Sequence, residues 1–485
     1  MLETQEAPID GDHYGRQALV MAQIEKSLST GDLLRAGTYN RAMPPLLFEG
    51  PLYQGVVGAI TALAGAEALV VARSVNVVLF YATLWTFLAL LRALGFGEVR
   101  VVFAGVLVCG SPLLLHYQSV PLSDGSAVFC SLIALLGYAR LVEGRSSGTG
   151  RWAWMALLLG SALAAFVKCT VAIPVAGAVA AHAIGGRRLT RDAARPLLGF
   201  VSASAIGLAL HLLLRSRVNA GLSIPNESTA WLFGSLGDRF SLATWSALLP
   251  SRLELLLPFP AALLSIGGYV VLVIRRGADP ARSLLLGWGF ACVAYGLVFF
   301  PLHVLHAYYQ LPFVLPAAAC AAALLPARVR AAWRRRAWAA ATLSVALVVS
   351  ATASGKHTLA KLRMPFAATE RARGTWLRTS THERDFLVYL TPMDFDHNDH
   401  LLYSARRDGY LLGMGVLERY GLEAFYSIAA GHLFDGAGRP KYRRLCVFAP
   451  LNLAPRAAAL LREVPQLEVR RNGELGDLYL YPLGP

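Results

Sequence analysis

Apolar side chains run along this chain in long blocks separated by short polar breaks. Blocks able to cross a bilayer fall at about 73–92, 100–116, 125–142, 152–166, 168–185, 197–214, 254–274, 283–300, 309–326 and 337–353, because a helical span needs about 20 mostly apolar residues. The two blocks flanking Lys168 are short, and about ten spans are predicted. Ahead of them the pattern differs. Over 13–29, Tyr14, Ala18, Met21 and Leu28 share one helical face, with Arg16, Gln23 and Lys26 elsewhere. A short apolar run follows at 51–64. Both read as helices lying in the outer interface. After about 370 the chain shows strand-like runs at 385–391, 443–449 and 476–481, with helical stretches at 410–420 and 454–464. That alternation predicts a small α/β domain. The fold class is therefore an all-α polytopic membrane domain over 1–353 and a soluble α/β domain over 354–485.

Composition agrees. The chain is 55% hydrophobic and 15% charged, with a mean hydropathy of +0.49, beyond the range of a soluble globular domain. Its six cysteines, five of them inside apolar runs, form neither a disulfide framework nor a zinc pattern. The formal charge of +15 does not point to nucleic acid, because much of the arginine sits in short loops between spans. Alternate loops carry it: Arg92 and Arg100; Arg140, Arg145 and Arg151; Arg187, Arg188, Arg191 and Arg195; Arg275, Arg276 and Arg282; Arg328 to Arg336. The loops at 117–124 and 301–308 carry none. Basic loops face the cytoplasm, so Asp124, His306, the N-terminal segment and the C-terminal domain face outward. An exported N-terminal segment calls for a preceding span or signal peptide, and residues 1–12 supply neither. The expectation is that a first span is missing from the chain; the rival is direct translocation of the N-terminal tail, less favoured at about 70 residues.

Four outward groups carry candidate chemistry: Asp10 and Asp12 with His13; Glu49; Asp124 at the outer start of a span; and His303 and His306 with Tyr308 and Tyr309. Lys168 adds a cation within an apolar stretch. Acidic groups beside hydrocarbon are costly and invite a functional reading. Each group also has a plainer role. Asp10 and Asp124 could cap helices, Lys168 could snorkel, and the tyrosines could belong to an aromatic belt. Convergence on one membrane face favours function. In the tail, Asp394-Phe395-Asp396-His397-Asn398-Asp399-His400 lacks the glycine and distal glutamate of an EF-hand loop, with Ala405 at the twelfth position, and reads as a polar loop.

Taken in order, these residues resemble the GT-C fold membrane glycosyltransferases, in particular the ArnT-like and protein O-mannosyltransferase-like branch that uses polyprenyl-phosphate sugars. Asp10-Gly11-Asp12-His13-Tyr14 is similar to the Asp-Glu-x-x-Tyr/Phe of their first outer loop, and Thr30-Gly31-Asp32 to a Ser-Gly-Asp. Phe48-Glu49-Gly50-Pro51-Leu52-Tyr53 resembles their Glu-Lys-Pro-Pro-Leu-Tyr stretch, and Arg73 the arginine opening their next span. Pro121-Leu122-Ser123-Asp124 resembles a second acidic site, Phe166-Val167-Lys168 a Leu-Thr-Lys, and His306-Ala307-Tyr308-Tyr309-Gln310-Leu311-Pro312 a His-x-Tyr-Tyr-x-Leu-Pro. Leu402 to Arg406 resembles part of their outer domain. Two departures stand out. The glutamate beside the first aspartate is Gly11, and the lysine after the glutamate is Gly50.

The resemblance implies an integral, multi-pass protein of a bacterial inner membrane that transfers a sugar, with inversion, from a polyprenyl-phosphate donor to a lipid, glycan or protein acceptor. Away from cytoplasmic nucleotide sugars, a lipid-linked donor is the physically natural source. Transfer needs a base for the acceptor hydroxyl and positive charge for the departing phosphate. Asp10 is the expected base and Asp124 a second acidic contact. Arg73, Lys168, His306, Tyr308 and Tyr309 are expected at the donor, and Lys168, Arg73 or a divalent ion on Glu49 and His306 would meet the phosphate. Asp12 and His13 are secondary candidates. A transporter or flippase of lipid-linked saccharides is the competing class, although the charged or broken midplane segments it calls for do not appear in paired halves. A catalytically inactive relative is the third.

Overall fold

The computed structural model describes residues 14–34, 37–39, 49–142, 150–185, 191–219, 233–275, 280–325, 355–356, 360, 368–392, 400–419, 433–434, 437–462 and 467–483. The chain divides into two compact units. One comprises Met1–Ala7, Leu47–Val57 and Leu69–Arg363; the other comprises Pro8–Leu46, Gly58–Ala68 and Met364–Pro485.

The helices run in order α1 (Tyr14–Thr30), α2 (Leu52–Ala64), α3 (Ala68–Ala93), α4 (Glu98–Cys109), α5 (Pro112–Tyr117), α6 (Asp124–Val142), α7 (Gly150–Gly185) and α8 (Arg191–Val218). They continue as α9 (Leu236–Arg239), α10 (Leu242–Leu256), α11 (Ala261–Ile274), α12 (Pro280–Val298), α13 (Phe300–Leu305), a 3-10 turn at Ala307–Gln310, and α14 (Leu311–Ala323). Helices α1 and α2 fall where the amphipathic and short apolar runs predict them.

The 36-residue run of α7 is not one rod. Lys168 leaves helical geometry at φ −158° and ψ 92°. Gly137 of α6 abuts Ala153 and Leu157 near the start of α7. Its neighbour Tyr138 places its hydroxyl 3.0 Å from Nδ1 of His182, near the end of α7. Both ends of α7 therefore return to the same end of α6, and the chain reverses at Lys168. The two short spans expected on either side of this residue are the arms of that hairpin. Gly287 of α12 meets Ala181 on the returning arm, so α12 follows that arm back toward the turn.

The basic residues Arg92, Arg140, Arg151 and Arg275 lie at or next to helix ends away from the Lys168 turn, the separation that sets orientation in a membrane. Judged by length and apolarity, five described helices qualify as spans, or six if α10 and α11 are taken together. The shortfall from ten has physical causes. The α7 hairpin counts once, and α4 and α14 are short. The span expected at 337–353 lies outside the described residues. The span expected at 100–116 is interrupted, with the Ser111 hydroxyl capping α5 by accepting from the Leu114 amide. The expected 254–274 span is a correction: α10 and α11 meet at a 97° bend, so only Ala261–Ile274 continues. Pro258 and Pro260 stand at that break, and proline cannot continue a helical ladder.

In the second unit, helices α15 (Ala368–Ser380), α16 (His400–Ala405) and α17 (Ala454–Leu461) accompany a five-stranded sheet. Its strands are β1 (Asp385–Thr391), β2 (Gly409–Gly413), β3 (Arg444–Pro450), β4 (Glu468–Asn472) and β5 (Gly476–Pro482), in spatial order β2-β1-β3-β5-β4. β1 pairs in parallel with β2 and β3, while β5 runs antiparallel to β3 and β4. Alternation divides the core. Phe386, Val388 and Leu390 face one layer with Ala457 and Leu461. Leu387 and Tyr389 face the other with Leu377, Leu401 and Leu402. The three anticipated strands are present. The expected helix at 410–420 is instead strand β2 followed by a helical stretch at 414–419. β2 is an edge strand, and pairing with the fully buried β1 decides its conformation. Helix α1 belongs to this unit: Lys26 pairs with Asp408 at 2.6 Å, and Glu25 accepts from the Tyr39 hydroxyl at 2.8 Å.

Candidate functional site at the Lys168 turn

The reversal in α7 puts the Lys168 side chain at one end of the bundle, where three other segments meet it. Asp124 opens α6, where the helix N-terminus favours an acidic side chain. Its Oδ1 lies 2.5 Å from Lys168 Nζ. Glu49 reaches the same ammonium with Oε1 at 3.0 Å. Its other oxygen, Oε2, accepts from the Ser123 hydroxyl. The group is nearly dehydrated: Lys168 is 7% exposed, Asp124 1% and Glu49 15%. Charges taken this far from water persist only when paired and hydrogen-bonded.

Tyr308 and Tyr309 turn their ring faces to Lys168, with centroids 4.6 and 4.8 Å from Nζ. Each such desolvated contact contributes up to about 2 kcal/mol. His306 stacks on Tyr308 at 5.3 Å, and Tyr117 of α5 meets the same ring edge-on at 6.0 Å. Behind them His303 lies edge-on to Tyr295 at 4.7 Å, and Arg252 donates to the Val304 carbonyl at 2.7 Å. Asn76 of α3 donates to the Val120 carbonyl and fixes the loop that leads to Asp124.

Gly50 explains one departure from the resemblance. Its amide donates to the Val167 carbonyl at 3.0 Å, and a Cβ there would overlap the Phe166 carbonyl. This contact places Glu49 beside the turn and leaves no room for a side chain at Gly50. The position where the resemblance calls for lysine is sterically closed, and the lysine in the cluster is Lys168.

Of the residues singled out in the sequence, Glu49, Asp124, Lys168, His306, Tyr308 and Tyr309 come together. Arg73 is buried within the same unit near Tyr53, whose hydroxyl donates to the Ala72 carbonyl at 3.1 Å. Asp10, Asp12 and His13 lie outside the described residues, as does the polar loop at 393–399. Sequence reasoning passed over Ser123, Tyr117, Tyr295 and Arg252. Ser123 stood within a quoted motif, whereas nothing in the pattern around Arg252 marks it. Among the described residues no three of His, Cys, Asp and Glu converge as a metal-binding group. Both Glu49 oxygens are engaged by Lys168 and Ser123. For the divalent ion expected on Glu49 and His306, the described residues supply no such group of three.

No protein-family model matches the chain, and neither does any curated protein. Solved structures do. ArnT from Cupriavidus metallidurans bound to undecaprenyl phosphate matches with a TM-score of 0.66 at 14% identity, over 97% of this chain and 94% of that one. The arabinofuranosyltransferase AftD from Mycobacteria matches at 0.57 and 18% identity, over 100% of this chain and 39% of AftD. The Archaeoglobus fulgidus oligosaccharyltransferase in the apo form matches at 0.57 and 12% identity, over 93% and 67%. Identities this low speak to the fold, which is the GT-C fold, in an integral multi-pass membrane protein.

Proposed function

We propose that this chain is a membrane glycosyltransferase that moves a sugar from a polyprenyl-phosphate donor to a lipid, glycan or protein acceptor. The observation that carries the reading is the dehydrated Lys168 ammonium, clamped by Asp124 and Glu49 beneath two tyrosine faces. The GT-C fold, and the undecaprenyl phosphate bound by the similar ArnT, support the choice of reaction and donor.

In this reading the Lys168 end of the bundle faces outward, opposite the basic loops. Two carboxylates face one ammonium, an arrangement suited to holding sugar hydroxyls, which donate to carboxylate oxygens. The tyrosine faces cover the apolar side of a sugar ring. Because Lys168 already balances carboxylates, the departing phosphate calls for a further cation, and Arg73 and Arg252 are the candidates in the same unit. In the chemical step the anomeric carbon–oxygen bond to phosphate breaks and its electron pair leaves with the phosphate. The acceptor oxygen forms the new bond from the opposite face, and its proton passes to a carboxylate, for which Asp10 is the candidate by resemblance. Lys168 and Asp124 hold the site's geometry, and the further cation meets the charge that develops on the phosphate.

The test is sugar transfer from a radiolabelled polyprenyl-phosphate sugar in membranes carrying the full chain. Label is expected to move from the lipid to an acceptor, and Asp10→Asn is expected to abolish the movement with expression intact. A fully active Asp10→Asn variant removes Asp10 from the mechanism. Label retained on the lipid by the unsubstituted protein overturns the transferase reading.

A further inference from the structure

Helix α8 turns most of its apolar side chains outward from the bundle: Leu198, Val201, Ile206, Leu210, Leu212 and Leu213 are all exposed. One stripe faces the other way. A Cβ on Gly199 would meet the Trp154 ring, and one on Gly207 would overlap the Ala162 carbonyl. One turn further, His211 stands edge-on to the Phe166 ring at 6.5 Å and is only 5% exposed. Positions 199, 207 and 211 meet 154, 162 and 166 in step, so α8 runs parallel to the first arm of α7 and arrives with it at the Lys168 turn. Glycines bring the two backbones together ahead of the turn, and a histidine takes the same stripe where the arm ends. A titratable side chain buried within a span calls for a named partner. The partner here is the Phe166 backbone carbonyl, to which the His211 ring donates. The donor is Nε2, because Nδ1 makes no hydrogen bond among the described residues.

Lys168 leaves helical geometry, and a break of this kind opens the i→i−4 hydrogen-bond ladder around it. Two carbonyls just ahead of the break have partners from elsewhere in the fold. Val167 accepts from the Gly50 amide, and Phe166 accepts from His211. The first contact brings Glu49 to the turn, and the second ties the turn to α8. Glu49 also lies within electrostatic reach of the His211 ring, as does Arg215 one turn on. We propose that His211 is a positioning residue for sugar transfer: its bond to the Phe166 carbonyl fixes the backbone from which Lys168 reaches Asp124, Glu49 and the two tyrosine rings. In this role it touches no substrate and moves no proton. Its effect on rate rests on the transferase reading, whereas its hold on the turn is measurable without transfer.

Three substitutions separate the hydrogen bond from the bulk of the ring. His211→Gln carries an amide nitrogen as far out as Nε2, His211→Asn stops at the depth of Nδ1, and His211→Leu has no donor. In membranes carrying the full chain, transfer from a radiolabelled polyprenyl-phosphate sugar gives kcat and KM. His211→Leu and His211→Asn should lower kcat about tenfold, the rate equivalent of one hydrogen bond, with the donor KM within about twofold. His211→Gln should restore most of the rate. If His211→Leu fails to fold, the comparison of His211→Gln with His211→Asn carries the test. Thermal unfolding of the detergent-purified protein supplies the arm that needs no transfer. Residues acting on one turn are not independent, so His211→Leu combined with Lys168→Ala should shift the unfolding temperature by less than the sum of the two single shifts. Additive shifts, a full rate in His211→Leu, equal rates in His211→Gln and His211→Asn, or a loss confined to KM overturns the role. Absence of transfer by the unsubstituted protein overturns the transferase reading instead, and additivity of the thermal shifts then decides whether His211 holds the turn.

Discussion

Lys168 is the residue on which the site depends, and its two partners are not equivalent. Asp124 is almost fully buried, whereas Glu49 keeps some access to solvent and a second donor in Ser123. Breaking a buried pair by removing one partner costs about 3–5 kcal/mol, because the remaining charge stays desolvated. Lys168→Ala strands two carboxylates and should lower the thermal unfolding temperature of the detergent-purified protein markedly, with loss of transfer. Glu49→Gln leaves the Lys168–Asp124 pair intact and should give a clearly smaller thermal shift; a shift equal to that of Lys168→Ala would mean that the Asp124 pair contributes nothing beyond the Glu49 pair. Glu49, Asp124, Lys168 and the two tyrosines were legible because each is a polar anomaly at the edge of an apolar block. Ser123 and Arg252 were not, since a serine or arginine near a span end is ordinary and only the fold shows what it touches. Gly50 looked like a defect in a motif and turns out to be a steric requirement.

Among the elements, the α7 hairpin is the one whose form departs most from a simple reading of its length. Its arms lie close to their neighbours. A Cβ on Gly207 of α8 would overlap the Ala162 carbonyl on the first arm. Gly207→Val should therefore force the two helices apart and destabilise the bundle by about 1–3 kcal/mol, the usual cost of overpacking, read as a lower unfolding temperature. An unchanged temperature would mean that the contact relaxes freely. In the second unit, Cys446 on β3 is fully buried, and burial, with Asp385 close by, pushes its thiol well above the usual range. The thiolate is the nucleophile, so native Cys446 should resist iodoacetamide at neutral pH and react only on unfolding, as peptide mass mapping can report. The strands at 385–391, 444–450 and 476–482 were readable because each is a short run of mostly apolar and aromatic residues. β2 and β4 were not: β2 is short and reads like a helix start, and the exposed Glu468–Asn472 carries charges suited to a guarded sheet edge rather than an apolar signature.

For the molecule as a whole, the fold class was legible because membrane insertion writes itself into composition and charge order, whereas the packing of helices against one another leaves little trace in a single chain. Among the described residues, five or six spans by length become more passes because α7 doubles back. Reversal at Lys168 also has a consequence for how the chain is threaded. Parity is at stake: an element that crosses once exchanges the sides of every loop after it, and one that crosses twice does not. Val142, Gly150, Gly185 and Arg191 then border the same aqueous compartment. Single cysteines introduced at Ser146 and Arg188 in a chain stripped of its own thiols should be labelled by a membrane-impermeant maleimide from the same side of sealed vesicles. Labelling from opposite sides would make α7 a single crossing. The turn that gathers the site would in that case have no place in the membrane, because a polar lysine needs both arms to bring it back to the surface.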